Sequence, residues 1–201
     1  MQLHTVSGFQ TVVENSRPDI QTSFVLERLE QALELIERYQ PWRYRHLQRD
    51  VERFLIVRYP CRGAYFPDKR TCMTELTFLA RSDMTPAQIA ASIVHEGMHA
   101  RMHNMRVNGV GLSQESWDRP REERICRRAE YDFGLALPPE FGAPVVQRAQ
   151  ATLAASDDDV APQIDWDEAR RRQDIADLEA LDIPSWLKRV LINFRSWRAQ
   201  A

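Results

Sequence analysis

The stretch from Ala87 to Met102 is apolar around most of a helical circumference. Ala87, Ile89, Ala90, Ala91, Ile93, Val94, Met98, Ala100 and Met102 occupy all but one side of the wheel. A helix that is apolar nearly all round is buried, so the rest of the chain has to wrap around this one. Thr85-Pro86 starts it well, with threonine as the cap and proline in the first turn. The remaining side carries Gln88, Ser92, His95, Glu96, His99 and His103. A solvent face is usually richer in Lys, Arg and Glu, whereas a stripe that is mostly histidine suits the floor of a cleft. His95 and His99 stand four apart and share a face, so both imidazoles can reach one metal ion, with Glu96 beside them. The chain has only 5 histidines. Chance placement gives roughly 0.01 occurrences of His-Glu-x-x-His at this composition, which favours a chemical reading over an accidental one.

A metal site that does chemistry takes three protein ligands and leaves one position open. Residues 118–133 read as the next helix, with Asp118 as its cap and Pro120 in the first turn. Its apolar members Ile125, Cys126, Ala129, Phe133 and Ala136 cluster on one side. Glu122 falls in the middle of that stripe, and Glu123 and Glu130 fall on its flank. A carboxylate aimed at a core is costly unless it is paired or metal-bound. Glu122 is therefore the first candidate for the third ligand, Glu123 the second and Glu130 the third. The other reading of Glu122 is a first-turn acid that complements the helix dipole. His103 continues the histidine series, but three histidines in succession spread over about 12 Å of axis. His103 is better read as facing a substrate, supporting the site from behind, or simply exposed.

His95, Glu96 and His99, then Glu122 followed at helical spacing by Ile125, Cys126 and Ala129, and the close Leu135-Ala136-Leu137-Pro138, resemble the zincin superfamily. The resemblance is to small bacterial gluzincin-like metallopeptidases, whose third ligand is a glutamate on a following helix. It covers residues 53–138. Cys126 stands where some relatives place Asp or Asn, and no histidine lies six after His99, as the metzincins require. The resemblance implies an α+β, zincin-like fold, mostly helical, with a small three- to four-stranded sheet and C-terminal helices. It implies a zinc-dependent hydrolase, a metalloprotease acting on a peptide or protein. Zn2+ would be held by His95, His99 and Glu122, with Glu123 as second choice, and Glu96 would be the general base. His103, Arg127 and Tyr131 are candidate supporting groups or oxyanion donors. The strand-like run Thr74, Glu75, Leu76, Thr77, Phe78, Leu79 would receive the substrate by edge pairing.

At 201 residues the chain suits one domain, residues 1–155, with a helical extension, 156–201, packed on it. A net charge of −2 gives no bulk electrostatic case for nucleic acid. The N-terminus lacks a basic head followed by an apolar run, and no stretch reaches transmembrane length. Cys61, Cys72 and Cys126 form no C-x-x-C pair, and free thiols are expected. These features point to a cytoplasmic protein. Residues 1–15 are ambiguous, with a short strand around Phe9, Val12 and Val13. Helices are expected over 19–40 and 42–51, a strand over 53–59, and a hairpin of 63–66 with 71–79. The loop 104–119 would roof the cleft. Pro138 to Pro144 mark a break before a short helix, 144–155. Another helix opens at Asp165. A last one, from Pro184, places Trp186, Leu187, Val190, Leu191, Phe194 and Trp197 on one side, with Lys188, Arg189, Arg195 and Arg198. A basic amphipathic helix can serve a membrane surface or a protein partner, although apolar stripes more often pack on their own domain. The competing function is therefore a non-catalytic interaction module with a vestigial or structural metal site that docks through residues 184–201. A hydrolase acting on something other than peptides is a third possibility.

Overall fold

The computed structural model describes residues 1–109, 118–180 and 183–190. The chain divides into two compact units, 1–163 and 164–201. The first is α+β. Its strands are β1 (Gln2–Val6), β2 (Phe9–Glu14), β3 (Arg53–Val57), β4 (Gly63–Phe66) and β5 (Thr71–Glu75). They form a mixed sheet in the order β1-β2-β3-β5-β4. The outer pairs β1–β2 and β4–β5 are antiparallel, and β2–β3 and β3–β5 are parallel. The parallel step from β2 to β3 needs a long crossover. It is made by α1 (Thr22–Tyr39) and α2 (Pro41–Asp50). Pro41 ends the first helix and begins the second, as the sequence suggests.

Residues 1–14 form a hairpin rather than a single short strand, which widens the expected three- to four-stranded sheet to five strands. Its turn at Ser7-Gly8 is fastened by Tyr44 of α2, whose hydroxyl donates to the Ser7 carbonyl at 2.7 Å. Phe9 then packs edge-on against Tyr44 and Phe54, with ring centroids 5.8 and 5.1 Å away. Burying one such ring contributes about 1.5–3 kcal/mol, so the hairpin is a working part of the core. The inward face of α1, packed mainly against the later helix Pro86–Val107, is Val25, Leu29, Ala32, Leu33 and Ile36, all fully buried.

The run from Thr74 to Phe78 departs from expectation twice. β5 ends at Glu75, and Leu76–Ala80 is a short helix, α3. Glu75 is the cause. One of its carboxylate oxygens accepts from the Phe78 N–H and the Thr77 hydroxyl, both at 2.7 Å, and the other pairs with Arg58. This buried acid caps a helix where the side-chain pattern alone reads as strand. In addition, β5 lies between β3 and β4 with all five residues buried. Thr74 and Glu75 therefore have no free edge to offer a ligand. That edge belongs to β4.

α4 (Pro86–Val107) runs through the middle of the unit. Arg119–Ala136 form α5, Pro139–Leu153 form α6, and Asp157–Val160 form α7. α6 begins five residues earlier than expected and holds Pro144 inside it, so the break is confined to Leu137-Pro138. Arg124 of α5 ties down α7 through Asp157 at 2.7 Å and the Leu153 and Ala155 carbonyls. In the second unit, Asp165 accepts from the Asp167 and Glu168 N–H groups and opens α8 (Trp166–Ala180). Residues 185–190 are helical, with Trp186 and Val190 exposed. Leu191, Phe194, Arg195, Trp197 and Arg198 lie outside the described residues, as do Gly111 and Trp117 of the 104–119 loop. Among the described residues no helix is long and apolar enough to cross a membrane.

Candidate metal centre

α4 is set by a full capping box. Thr85 accepts from the Gln88 N–H, and the Gln88 side chain accepts from the Thr85 N–H. Two glycines then decide how closely α4 is approached. A Cβ on Gly97 would stand 2.4 Å from Leu47 of α2, and a Cβ on Gly63 would stand 2.9 Å from Glu96 Oε1. The edge strand β4 thus lies directly against the Glu96 carboxylate, which is 8% exposed.

α5, capped by Asp118 at 2.8 Å from the Arg121 N–H, faces the histidines with Glu123, Cys126 and Glu130. Glu123 is the acid that converges on both. Its two oxygens stand 3.2 Å from His95 Nε2 and 3.6 Å from His99 Nε2. Donors sharing one tetrahedral ion at 2.0–2.1 Å stand roughly 3.3 Å apart, so this spacing fits. Glu122 does not converge. It pairs with Arg106 at 2.8 Å. Glu130, fully buried, takes a different place: it contacts His95 Nδ1 at 2.7 Å. That contact leaves His95 Nε2 aimed at Glu123, the arrangement by which carboxylates orient ligating histidines. Arg127 at 2.5 Å and Arg148 of α6 at 3.2 Å hold Glu130 in turn.

The charges are consistent with a cation. Burial alone would push the His95 imidazolium down, but Glu123, Glu130 and Glu96 outweigh it and hold it up at about 9. Burial would likewise raise Glu123 and Glu130, yet His95 and His99 hold Glu123 well below the usual carboxylate range. His95, Arg127 and Arg148 lower Glu130. Glu96 is raised, by burial first, against the pull of His95 and His99. Glu96, Glu123 and Glu130 thus surround His95 and His99 with negative charge.

Cys126, which the sequence places in the apolar stripe at a position where some zincin relatives have Asp or Asn, is not among the expected ligands. Donor atoms of His95, His99 and Cys126 all lie within 4.8 Å of one another. Its position three after Glu123 and four before Glu130, on the same face of α5, is the signal that would have found it. Burial, followed by the charges of Glu123, Glu96 and Glu130, pushes its thiol well up. Glu123 and Cys126 are thus both brought to the two imidazoles. All three cysteines are free.

The proposed donors divide. Arg127 is committed to Glu130 and serves as support. His103 is half-buried, its ring 6.1 Å from that of Tyr65 on β4, so it belongs to the cleft side. Tyr131 lies under the exposed Arg128, 5.2 Å from its ring centre, and Arg128 pairs with Asp132 at 3.0 Å. The structure does not bring Tyr131 to the centre. No protein-family model, curated protein or solved structure matches the chain.

Proposed function

We propose that the protein is a metal-dependent hydrolase, most simply a zinc metallopeptidase, whose ion is held by His95, His99 and Glu123. The observation that carries this reading is the convergence of Glu123 on both Nε2 atoms while Glu130 holds His95 from behind. A divalent ion in such a set supplies an activated water and polarises the substrate carbonyl. The chain's own residues do the rest. Glu96, adjacent to His95 and raised by burial, accepts a proton at its carboxylate and hands it to the departing amine. β4 presents its free edge to an extended substrate. The Glu75 N–H bonds to the Arg62 carbonyl at 2.9 Å, and antiparallel alternation then turns the backbone groups of Gly63 and Tyr65 outward.

Glu96→Gln should keep one zinc per chain and lower turnover of a peptide by about 10²–10⁴-fold. Metal analysis with a peptidase assay checks it, and parent-like turnover in that variant removes Glu96 as the base.

Cys126 favours a second reading. With Glu123 and two histidines it would complete four protein donors, and a closed set is structural rather than catalytic. That would suit a non-catalytic interaction module. Cys126→Ala separates the two readings: the hydrolase keeps its zinc and its turnover, whereas a structural site loses its ion.

A further inference from the structure

Gly97 lets α2 press closely against α4, with Leu47 at the point of contact. Beside that contact the two helices enclose a recess of about 260 Å³, counting the solvent at its mouth. Leu47, Val94 and Met98 give it apolar walls, and Arg43, His46 and Arg101 give it basic ones. His95, Glu96 and His99 do not line it. At 100° per residue, Val94, Gly97, Met98 and Arg101 share the side of α4 turned away from them.

The basic walls lack counter-charge. Arg43 is half-buried and makes no ion pair among the described residues. Its Nε is buried without a hydrogen-bond partner, and a terminal nitrogen reaches only the Met98 sulfur, at 3.8 Å. Asp132, whose charge it feels, is taken by Arg128 at 3.0 Å. Arg101, also half-buried, comes only within 3.9 Å of Asp50, which already holds both arms of Arg49 and the Asn104 amide. Trp42 carries the Arg43 guanidinium 4.2 Å from its ring centre and meets the His46 ring edge-on at 5.5 Å. These contacts hold both groups in place without neutralising them. Burial first, then the charges of Arg101, Arg49 and Arg43, holds the His46 imidazolium down, with Asp50 opposing. A carboxylate would offset one positive charge here. A phosphomonoester brings nearly two and presents three acceptor oxygens to the guanidinium forks.

We propose that the recess between α2 and α4 binds a small phosphomonoester, its phosphoryl group on Arg43, His46 and Arg101 and its apolar body against Leu47, Val94 and Met98. This site is separate from the histidine centre and does not depend on the hydrolase reading.

The test is isothermal titration calorimetry on the full-length protein, with zinc and again after chelation. The probes are phenyl phosphate, benzoate and inorganic phosphate. Phenyl phosphate should bind roughly tenfold tighter than either of the others, in both states. Arg43→Gln and Arg101→Gln should each weaken it by about tenfold while circular dichroism stays that of the parent. Arg45→Gln, on the exposed side of α2, should leave it unchanged. In the parent, phenyl phosphate should move the imidazole NMR signals of His46 and not those of His4 on β1, a readout that needs no variant to fold. Absent binding overturns the proposal, as does binding that survives both arginine changes or leaves His46 unmoved. Equal affinity for benzoate overturns the phosphoryl assignment, and equal affinity for inorganic phosphate overturns the apolar body. Binding that disappears on chelation places the ligand on the metal and overturns the site.

Discussion

Which glutamate faces His95 and His99 turns on one step along α5. Sequence reasoning centred the apolar stripe on Glu122 because it counted Ile125 and Ala136 as core. Ile125 is only half-buried and Ala136 is exposed, while Glu130 and Gly134 are buried. At 100° per residue this moves the buried face by about 60° and leaves Glu122 and Glu123 on opposite flanks. α4 lies on the Glu123 side. The shared neighbourhood of His95, Glu96 and His99 was legible because a single helix carries them, whereas the acid opposite them depends on how two helices rotate against each other. At the same scale, Gly63 holds open the space that Glu96 fills. Gly63→Ala should shift the carboxylate by a few tenths of an ångström and cost turnover about tenfold or more, with zinc content unchanged. Steady-state kinetics beside metal analysis would check this.

Helices were legible as elements because their caps are local: Thr85 with Gln88, Asp118, and Pro41. The end of β5 was not, because it depends on Glu75 turning back onto the Phe78 N–H with Arg58 as its counter-ion. Asp50 plays a comparable part at the end of α2. Fully buried, it takes both arms of Arg49 at 2.7 and 2.6 Å and the Asn104 amide at 2.6 Å, which ties α2 to α4. Burial would raise its carboxyl, but Arg49 and Asn104 overcome that and lower it. A carboxyl lowered on folding stabilises the fold above its unfolded value, about 3.9, and this contribution disappears as pH falls through the folded value. Asp50→Asn should therefore cost about 2–3 kcal/mol near pH 7, and its deficit against the parent should shrink below about pH 4. Urea unfolding of both proteins across pH 3–7 would measure it.

At the scale of the whole molecule, the α+β class and the order of helices around a small sheet could be read in the sequence. The strand order could not. β2 pairs with β3 across the whole α1–α2 crossover, and β4 joins outside β5 although it precedes it in the chain; nothing local encodes either pairing. All the residues gathered around the two histidines, from Gly63 to Arg148, lie within the first compact unit. A chain ending at Gln163 should therefore fold and bind zinc with the stoichiometry of the parent. Circular dichroism with metal analysis would decide this, and an unfolded or metal-free product would count against it.

The sheet stops at β1 on one flank and β4 on the other, and the two flanks face different demands. β4 is stationed over a buried acid. β1 has no such post, and it exposes Leu3 to water at 69%. It is only five residues long, and Gln2, His4 and Thr5 are polar. Brevity and polarity discourage one copy from zipping onto another along such a rim. If β4 receives an extended substrate as proposed, the molecule keeps one flank open to it without becoming adhesive on both.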